Sequence, residues 1–150
     1  MKTEIRLVNA EATLEMRSRV MKPFLTPQEC RNPGDDDPLT LHLAAYQGDH
    51  IVGIATFLPE PHPFFPQSQT PYRLRGMASD PSVHRQGVGR SLVNEGVRHL
   101  VQRSCDLLWF NARQKAFPFY VALGYTMVGE MFDIDRIGPH KVMYKFLAED

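Results

Sequence analysis

The sequence predicts an α/β protein with a mixed central sheet and helices on both faces. Apolar runs in the first third of the chain alternate as strands of a hairpin do. Strand-like runs in the second half are separated by segments with helical period, which is typical of crossover connections. In that second half, Gly87 and Gly89 mark the change from a strand-like run to an amphipathic helix.

The first elements follow from side-chain periodicity. Residues 4–8 alternate as a strand, and residues 10–21 form a short helix with Ala12, Met16 and Val20 on one side. Residues 23–38 hold several prolines, a glycine and three consecutive aspartates, which break regular structure. This segment predicts a solvated loop.

A hairpin and a proline-rich segment come next. Residues 39–45 alternate, Gly48-Asp49 turns the chain, and residues 51–57 are apolar on both sides, so the second strand should be buried on both faces. Residues 58–71 contain five prolines, and no strand or helix can persist through them. Their His62, Phe64 and Phe65 rings suit either a substrate lid or a stiff connection packed on the sheet.

The second half contains two helices among four strands. A strand ending before Pro81 leads to a helix with six apolar residues on one face: Val88, Leu92, Val93, Val97, Leu100 and Val101. After a strand at 105–111, residues 116–123 form a helix with Pro118 in its first turn and Gly124 at its left-handed end. Strands are predicted last at 125–132 and 141–147.

Composition restricts the class of protein. The chain has 150 residues, which fits one domain over 1–150, and 17 basic residues balance 17 acidic ones. We therefore expect neither nucleic acid nor a membrane surface as a partner. Cys30 and Cys105 lack metal or redox spacing, and reduced thiols in the cytoplasm fit best. There is no leader-like segment and no run of 18 apolar residues.

The glycine pair predicts an anion site. At the start of a helix, free backbone N–H groups point outward and the macrodipole is positive, and glycine lets an anion approach without a Cβ in the way. A dinucleotide site would need a third glycine and an earlier strand. A nucleoside-triphosphate P-loop would need Lys after Gly89, where this chain has Arg90. With those two kinds of site excluded, the glycine pair predicts a phosphate or pyrophosphate site of another kind.

The stretch Met77-Ala78-Ser79-Asp80-Pro81, followed by His84-Arg85-Gln86-Gly87-Val88-Gly89, closely resembles the acetyl-CoA-binding motif of the GNAT superfamily of N-acetyltransferases. In that family an apolar strand end and a proline precede Arg/Gln-x-x-Gly-x-Gly/Ala. The first of these positions is His84 here, and a basic residue stands one place later. The resemblance implies that acetyl-CoA is bound by Met77, Ala78, Ser79, His84, Arg85, Gln86, Gly87, Val88, Gly89 and Arg90.

A second segment, residues 116–125, resembles the family pattern Ala-x-x-Phe/Leu-Tyr-x-x-x-Gly-Phe/Tyr. The family's tyrosine lies near the thioester sulfur and commonly serves as general acid, and it corresponds to Tyr120. The alternative is a packing aromatic. The resemblance also implies a GNAT-like fold with a mostly antiparallel sheet, a strand bulge before the glycine loop, and backbone donors near Met77 for the developing oxyanion. It places residues 23–38 at the rim of the acceptor cleft.

The implied activity is acetyl transfer from acetyl-CoA to a primary amine of a small molecule, by direct attack on the thioester and without a metal. A non-catalytic acyl-CoA sensor and a protein or peptide N-acetyltransferase are the alternatives, and a homodimer stays open. An ammonium must lose a proton first, so a base is needed. His140 in a Gly-Pro-His turn is the best candidate. Glu130 and His62 are weaker candidates.

Two arginines in the strand before the glycine loop suggest the acceptor's chemistry. Arg73 and Arg75 are spaced by two, so they share one face of a strand and Leu74 lies on the other. Guanidinium groups held there favour a carboxylate or phosphate on the amine substrate. The alternative is ion pairing with acids such as Asp133, Asp135 or those at 35–37.

Overall fold

The computed structural model describes residues 2–147. Over that range the strands and α-helices follow the predicted order: β1 (Thr3–Val8), α1 (Glu11–Met16), β2 (Leu41–Gln47), β3 (His50–Pro59), β4 (Pro71–Ser79), α2 (Val88–Gln102), β5 (Leu107–Arg113), α3 (Phe117–Ala122), β6 (Thr126–Ile134) and β7 (Gly138–Phe146). The predicted first helix is only partly α-helical, because its second half, Arg17–Met21, is a π-helical turn.

The strands form one seven-stranded sheet in the order β1-β2-β3-β4-β5-β7-β6. β1, β2 and β3 pair antiparallel, and so do β5, β7 and β6. β4 and β5 pair in parallel, Pro71–Arg73 against Leu107–Trp109. The predicted mixed sheet is therefore confirmed.

The chain forms two compact units. The first comprises residues 2–58 and 74–100, and the second comprises residues 59–73 and 101–147. β4 contributes its first three residues to the second unit and the rest to the first. No helix within residues 2–147 is long and apolar enough to cross a membrane.

Helices cover both faces of the sheet in the first unit. A Cβ added to Gly53 of β3 would lie 2.7 Å from Val88 Cγ1 of α2, so this residue faces α2. The next residue, Ile54, packs with Met16 of α1 and with Ala44. Neighbouring residues of a strand point to opposite faces. β3 is thus buried on both sides, as its sequence predicts.

The buried face of α2 contains a glycine that apolar periodicity does not reveal. Val88, Leu92, Val93 and Leu100 are buried as predicted, and Gly96 lies among them. A Cβ on Gly96 would be 2.1 Å from the Phe57 ring. Glycine is therefore required where α2 and β3 approach each other.

The proline-rich segment packs its rings onto the sheet of the second unit. His62 lies 4.7 Å from Trp109 and Phe65 lies 4.9 Å from Tyr144, centroid to centroid. Asp106 accepts hydrogen bonds from the Gln69 and Thr70 amides. These contacts are those of a stiff connection, the second of the two alternatives predicted for this segment.

Three sequence-based predictions need correction. Residues 23–38 are not wholly solvated, because Cys30 and Asp35 are buried. Cys105 precedes β5 rather than opening it. His140 does not lie in a Gly-Pro-His turn: β7 begins at Gly138, which pairs with Ile134, so His140 is inside the strand opposite Phe132.

Candidate active site

The glycine loop presents free backbone donors to open space. Arg85 and Gly87 both have left-handed backbones, with φ of 67° and 80°. The Ser91 amide donates to the Gly87 carbonyl at 3.0 Å, so the N–H groups of residues 88–90 belong to the first turn and have no partner within the helix. A Cβ at Gly87 would meet nothing within 4 Å. Backbone N–H groups at the start of a helix can bind an anionic group such as a phosphate.

The polar side chains of the glycine loop are exposed, and the turn before the loop is capped by a hydrogen bond. His84, Arg85 and Arg90 are exposed, while Val88, the first residue of α2, is buried. Asp80 caps the turn before the loop by accepting from the Ser82 amide at 2.9 Å. That backbone hydrogen bond, with the bonds from the Ser82 and Arg19 side chains, lowers the pKa of Asp80. The exposed side chains of Arg85 and Arg90 are accessible to anionic groups.

β4 contains the backbone irregularity expected before the loop. Gly76 has a left-handed φ of 70° inside the strand, which is typical of a β-bulge. Beyond it Ala78 is buried against Met16 and Ile54, while Met77 and Ser79 are half-buried. The Asp80 amide donates to the Val52 carbonyl at 2.8 Å and anchors the end of the strand.

Tyr120 lies in an aromatic cluster of the second unit. Pro118 occupies the first turn of α3, and Gly124, with φ of 95°, ends the helix as predicted. The Tyr120 ring lies 4.3 Å from Phe110 and 6.2 Å from Tyr125, centroid to centroid. Burial raises the pKa of Tyr120, and the neighbouring Tyr125 raises it further. The phenol therefore keeps its proton at neutral pH, as a general acid must.

His140 is buried in β7 with a defined tautomer. Its Nδ1 lies 2.8 Å from the Gly138 carbonyl oxygen, and its ring stacks on Phe132 at 6.0 Å. A carbonyl can only accept a hydrogen bond, so Nδ1 carries the proton of the neutral ring. The lone pair is then on Nε2, the atom that could accept a proton.

The two weaker base candidates lie in different surroundings. Glu130 is exposed on β6. Burial lowers the pKa of His62, and the Arg73 charge lowers it further. His62 Nδ1 also accepts a hydrogen bond from the Phe64 amide at 3.0 Å. Both features make His62 a weak proton acceptor.

Arg73 forms an ion pair within the chain, which was the alternative to contact with a substrate. Its partner is not one of the acids named above. Its Nη1 lies 3.1 Å from Glu60 Oε2, and its guanidinium lies 5.1 Å from the Trp109 ring centroid. For Arg73 the acid is Glu60, and not one of the examples predicted, Asp133, Asp135 or the acids at 35–37. Leu74 is buried, as strand alternation predicts. Arg75 lines a cavity of the first unit.

Sequence reasoning missed a buried polar network beside that cavity. Arg17 Nη1 donates to Asp35 Oδ2 at 2.7 Å, and Nη2 donates to Asp35 Oδ1 and to Thr56 Oγ1. His42 lies 2.8 Å from the same hydroxyl and 2.9 Å from the Asp35 carbonyl. The one available signal was that Arg17 falls on the apolar side of the first helix, next to Met16.

No group of three or more His, Cys, Asp or Glu side chains that could hold a metal ion occurs among residues 2–147. The candidate groups are backbone donors and cationic side chains in the first unit, and a buried phenol and a buried imidazole in the second.

Comparison with known proteins gives one consistent result. The family described as "Acetyltransferase (GNAT) family" matches residues 9–125. The chain is 33% identical over 144 residues to an uncharacterized N-acetyltransferase, YitI, from Bacillus subtilis (strain 168), with 96% of each chain covered. Escherichia coli ElaA superposes with a TM-score of 0.76 at 19% identity, covering 96% of this chain and 99% of that one. An aminoglycoside 6'-N-acetyltransferase solved with coenzyme A gives 0.73 at 16% identity, with 98% of each chain covered.

Proposed function

The chain belongs to the GNAT family of acetyltransferases, and on that basis we propose that it transfers the acetyl group of acetyl-CoA to the primary amine of a small molecule. The observation that carries this proposal is the open glycine loop at the start of α2, where a Cβ on Gly87 would meet nothing within 4 Å. Residues 1–150 act as one catalytic domain. The enzyme works in the cytoplasm, where its two buried cysteines stay as thiols.

Different groups of the chain bind different parts of acetyl-CoA. The backbone N–H groups of Val88, Gly89 and Arg90 take the diphosphate, assisted by the side chains of His84, Arg85 and Gln86. The backbone of Met77, Ala78 and Ser79 holds the pantetheine arm and donates to the thioester oxygen as it gains charge. Acetyl-CoA supplies an activated acyl group, so no metal is needed.

The hydrogen bond at His140 Nδ1 and the burial of Tyr120 support the following assignment of the proton transfers. The neutral amine nitrogen forms a bond to the thioester carbon as the C–S bond breaks. The thiolate receives the phenol proton of Tyr120, and His140 Nε2 takes the proton that the amine loses. Arg73 forms an ion pair with Glu60, and Arg75 lines a cavity of the first unit. We assign Arg75 to contact an acidic group of the acceptor.

Gly89→Asp should abolish stabilisation by acetyl-CoA. At about 100 times its dissociation constant, a ligand adds about 2.7 kcal/mol of stability, which for a domain of this size raises Tm by roughly 5–12 °C. An aspartate at this position adds a Cβ and a negative charge facing the diphosphate, while suiting the first turn of a helix. Thermal unfolding with and without acetyl-CoA measures the difference.

Asn94→Asp is the matched control, since it adds the same charge at an exposed position farther along α2. It should keep the wild-type shift. Wild-type protein with no shift at millimolar acetyl-CoA would refute the proposal.

Thiol release measured over small amines and peptides identifies the acceptor class. Turnover with peptides alone would mean that the acceptor is a protein or peptide and not a small amine.

His140→Gln should remove the acid limb of the pH–rate profile and lower kcat. Glutamine preserves approximate size and polarity but cannot accept the amine's proton. The profile of kcat against pH, measured under conditions where chemistry limits the rate, is the test. An unchanged profile would exclude His140 and direct attention to Glu130, His62 or bulk water.

A further inference from the structure

A small cavity in the first unit has a cationic lining. Its volume is about 50 Å³, and among the described residues that line it Arg17, Lys22 and Arg75 are basic and none is acidic. Asn32 adds an amide to the same lining. Pockets that enclose whole ligands measure roughly 300–1,000 Å³. This cavity therefore suits one functional group of a larger molecule.

The cavity wall is held rigidly. The guanidinium of Arg17 is fixed by Asp35, Thr56 and the Cys30 carbonyl, and its side chain is 4% exposed. Its Nε is buried and has no hydrogen-bond partner among the described residues. A donor left unpaired in this way carries a desolvation penalty that an anion could remove.

Gly76 brings the Arg17 guanidinium against the β4 backbone. A Cβ at Gly76 would lie 3.3 Å from Arg17 Nε, and the residue has a left-handed backbone, so a larger residue would be strained there. Gly76 also lines the cavity, and the next residue in the chain is Met77. An anion in the cavity is therefore close to the backbone that we assign to the thioester.

We propose that this cavity binds the carboxylate of an amino-carboxylate acceptor, an assignment that rests on the proposed function. A carboxylate has the right charge and size, and planar guanidinium groups match its two oxygens. Lys22 supplies a further cation and Asn32 an amide donor. Burial raises the pKa of the Cys30 thiol, so the cavity's sulfur adds no negative charge at neutral pH. The subsite selects acceptors in which a carboxylate lies within a short chain of the reactive amine.

The test compares amines in pairs that differ only in the carboxylate. Suitable pairs are β-alanine with ethylamine, 4-aminobutyrate with propylamine, and phenylalanine with phenethylamine. Wild-type kcat/KM should favour the acid of at least one pair by about 10–100-fold, the usual value of a hydrogen-bonded charge. Arg75→Gln and Lys22→Gln should each lower the ratio of kcat/KM for the acid to kcat/KM for the paired amine. Both substitutions spare the buried Arg17–Asp35 pair.

Arg98→Gln is the control, because Arg98 is exposed on α2 and pairs only with Glu95 among the described residues. It should keep the full preference. Equal kcat/KM values within every pair, or equal losses for both members in the variants, would overturn the subsite.

Calorimetric titration of the same acids into the CoA-loaded protein separates this inference from the proposed function. Binding that Arg75→Gln abolishes, without turnover of any amine, would retain the subsite and refute the acceptor role. Turnover of amines with no binding preference for acids would refute the subsite alone.

Discussion

Replacing Tyr120 with phenylalanine is expected to lower kcat by about 10²–10⁴-fold, the usual contribution of a general acid, while the Kd for acetyl-CoA changes little. The ring packs against Phe110 and Phe119, and phenylalanine preserves those contacts. The substitution removes the phenol hydroxyl, which is the proposed proton donor. The leaving thiolate must then take its proton from water, so the loss should appear in single-turnover experiments as well as in kcat.

Tyr125→Phe is the matched control for that experiment. Tyr125 lies 6.2 Å from Tyr120, centroid to centroid, and its hydroxyl is buried without a hydrogen-bond partner among the described residues. Removing an unpaired hydroxyl should be neutral or slightly stabilising, and activity should be retained. Wild-type turnover in Tyr120→Phe, measured where chemistry limits the rate, would leave Tyr120 as a packing residue.

The raised pKa of Tyr120 also predicts the alkaline side of the pH–rate profile. Burial places the pKa above its ordinary value of 10.0. The acid therefore remains protonated throughout the neutral and mildly alkaline range. Loss of activity through Tyr120 should begin only above pH 10, and a limb with a lower midpoint would have to come from another group.

Asp35→Asn should lower the free energy of unfolding by about 3–5 kcal/mol, because it leaves the charge of Arg17 buried without its counter-ion. The two side chains are only 3% and 4% exposed, so solvent screens the pair little. Tm should fall by roughly 6–20 °C. Urea unfolding of wild type and variant measures the change.

The ion pair also predicts how stability depends on pH. Burial alone would raise the pKa of Asp35, but hydrogen bonds from Arg17 and the Asn32 amide outweigh it and the pKa is lowered. A carboxyl with a lowered folded-state pKa stabilises the protein above its unfolded pKa of about 3.9 and loses that stability as pH falls through the folded value. In the wild type, the part of the free energy of unfolding that comes from ionised Asp35 should be lost below about pH 4. The Asp35→Asn variant should not show this pH-dependent loss.

Asp36→Asn provides the comparison one residue away. The Asp36 side chain is 86% exposed, so its substitution should change stability by no more than about 0.5 kcal/mol. Equal effects of the two substitutions would mean that the buried pair is not the cause.

Local patterns were sufficient for the order of the elements and for placing the candidate site residues on them. The apolar face of α2, the proline in the first turn of α3 and the left-handed Gly124 depend on neighbours within a few residues. Short-range sterics and periodicity decide such features, so they can be read from the chain. The glycine loop and Tyr120 were placed on the correct elements for the same reason.

Partners distant in sequence were decided by the tertiary structure alone. Arg17 pairs with Asp35 rather than with a neighbouring acid, and Arg73 pairs with Glu60. His140 lies inside a strand because β6 and β7 remain paired as far as Ile134 and Gly138. Which acid meets which base, and where a ladder ends, depends on strand register and on the path of loops between elements. Spacing along the chain does not contain that information.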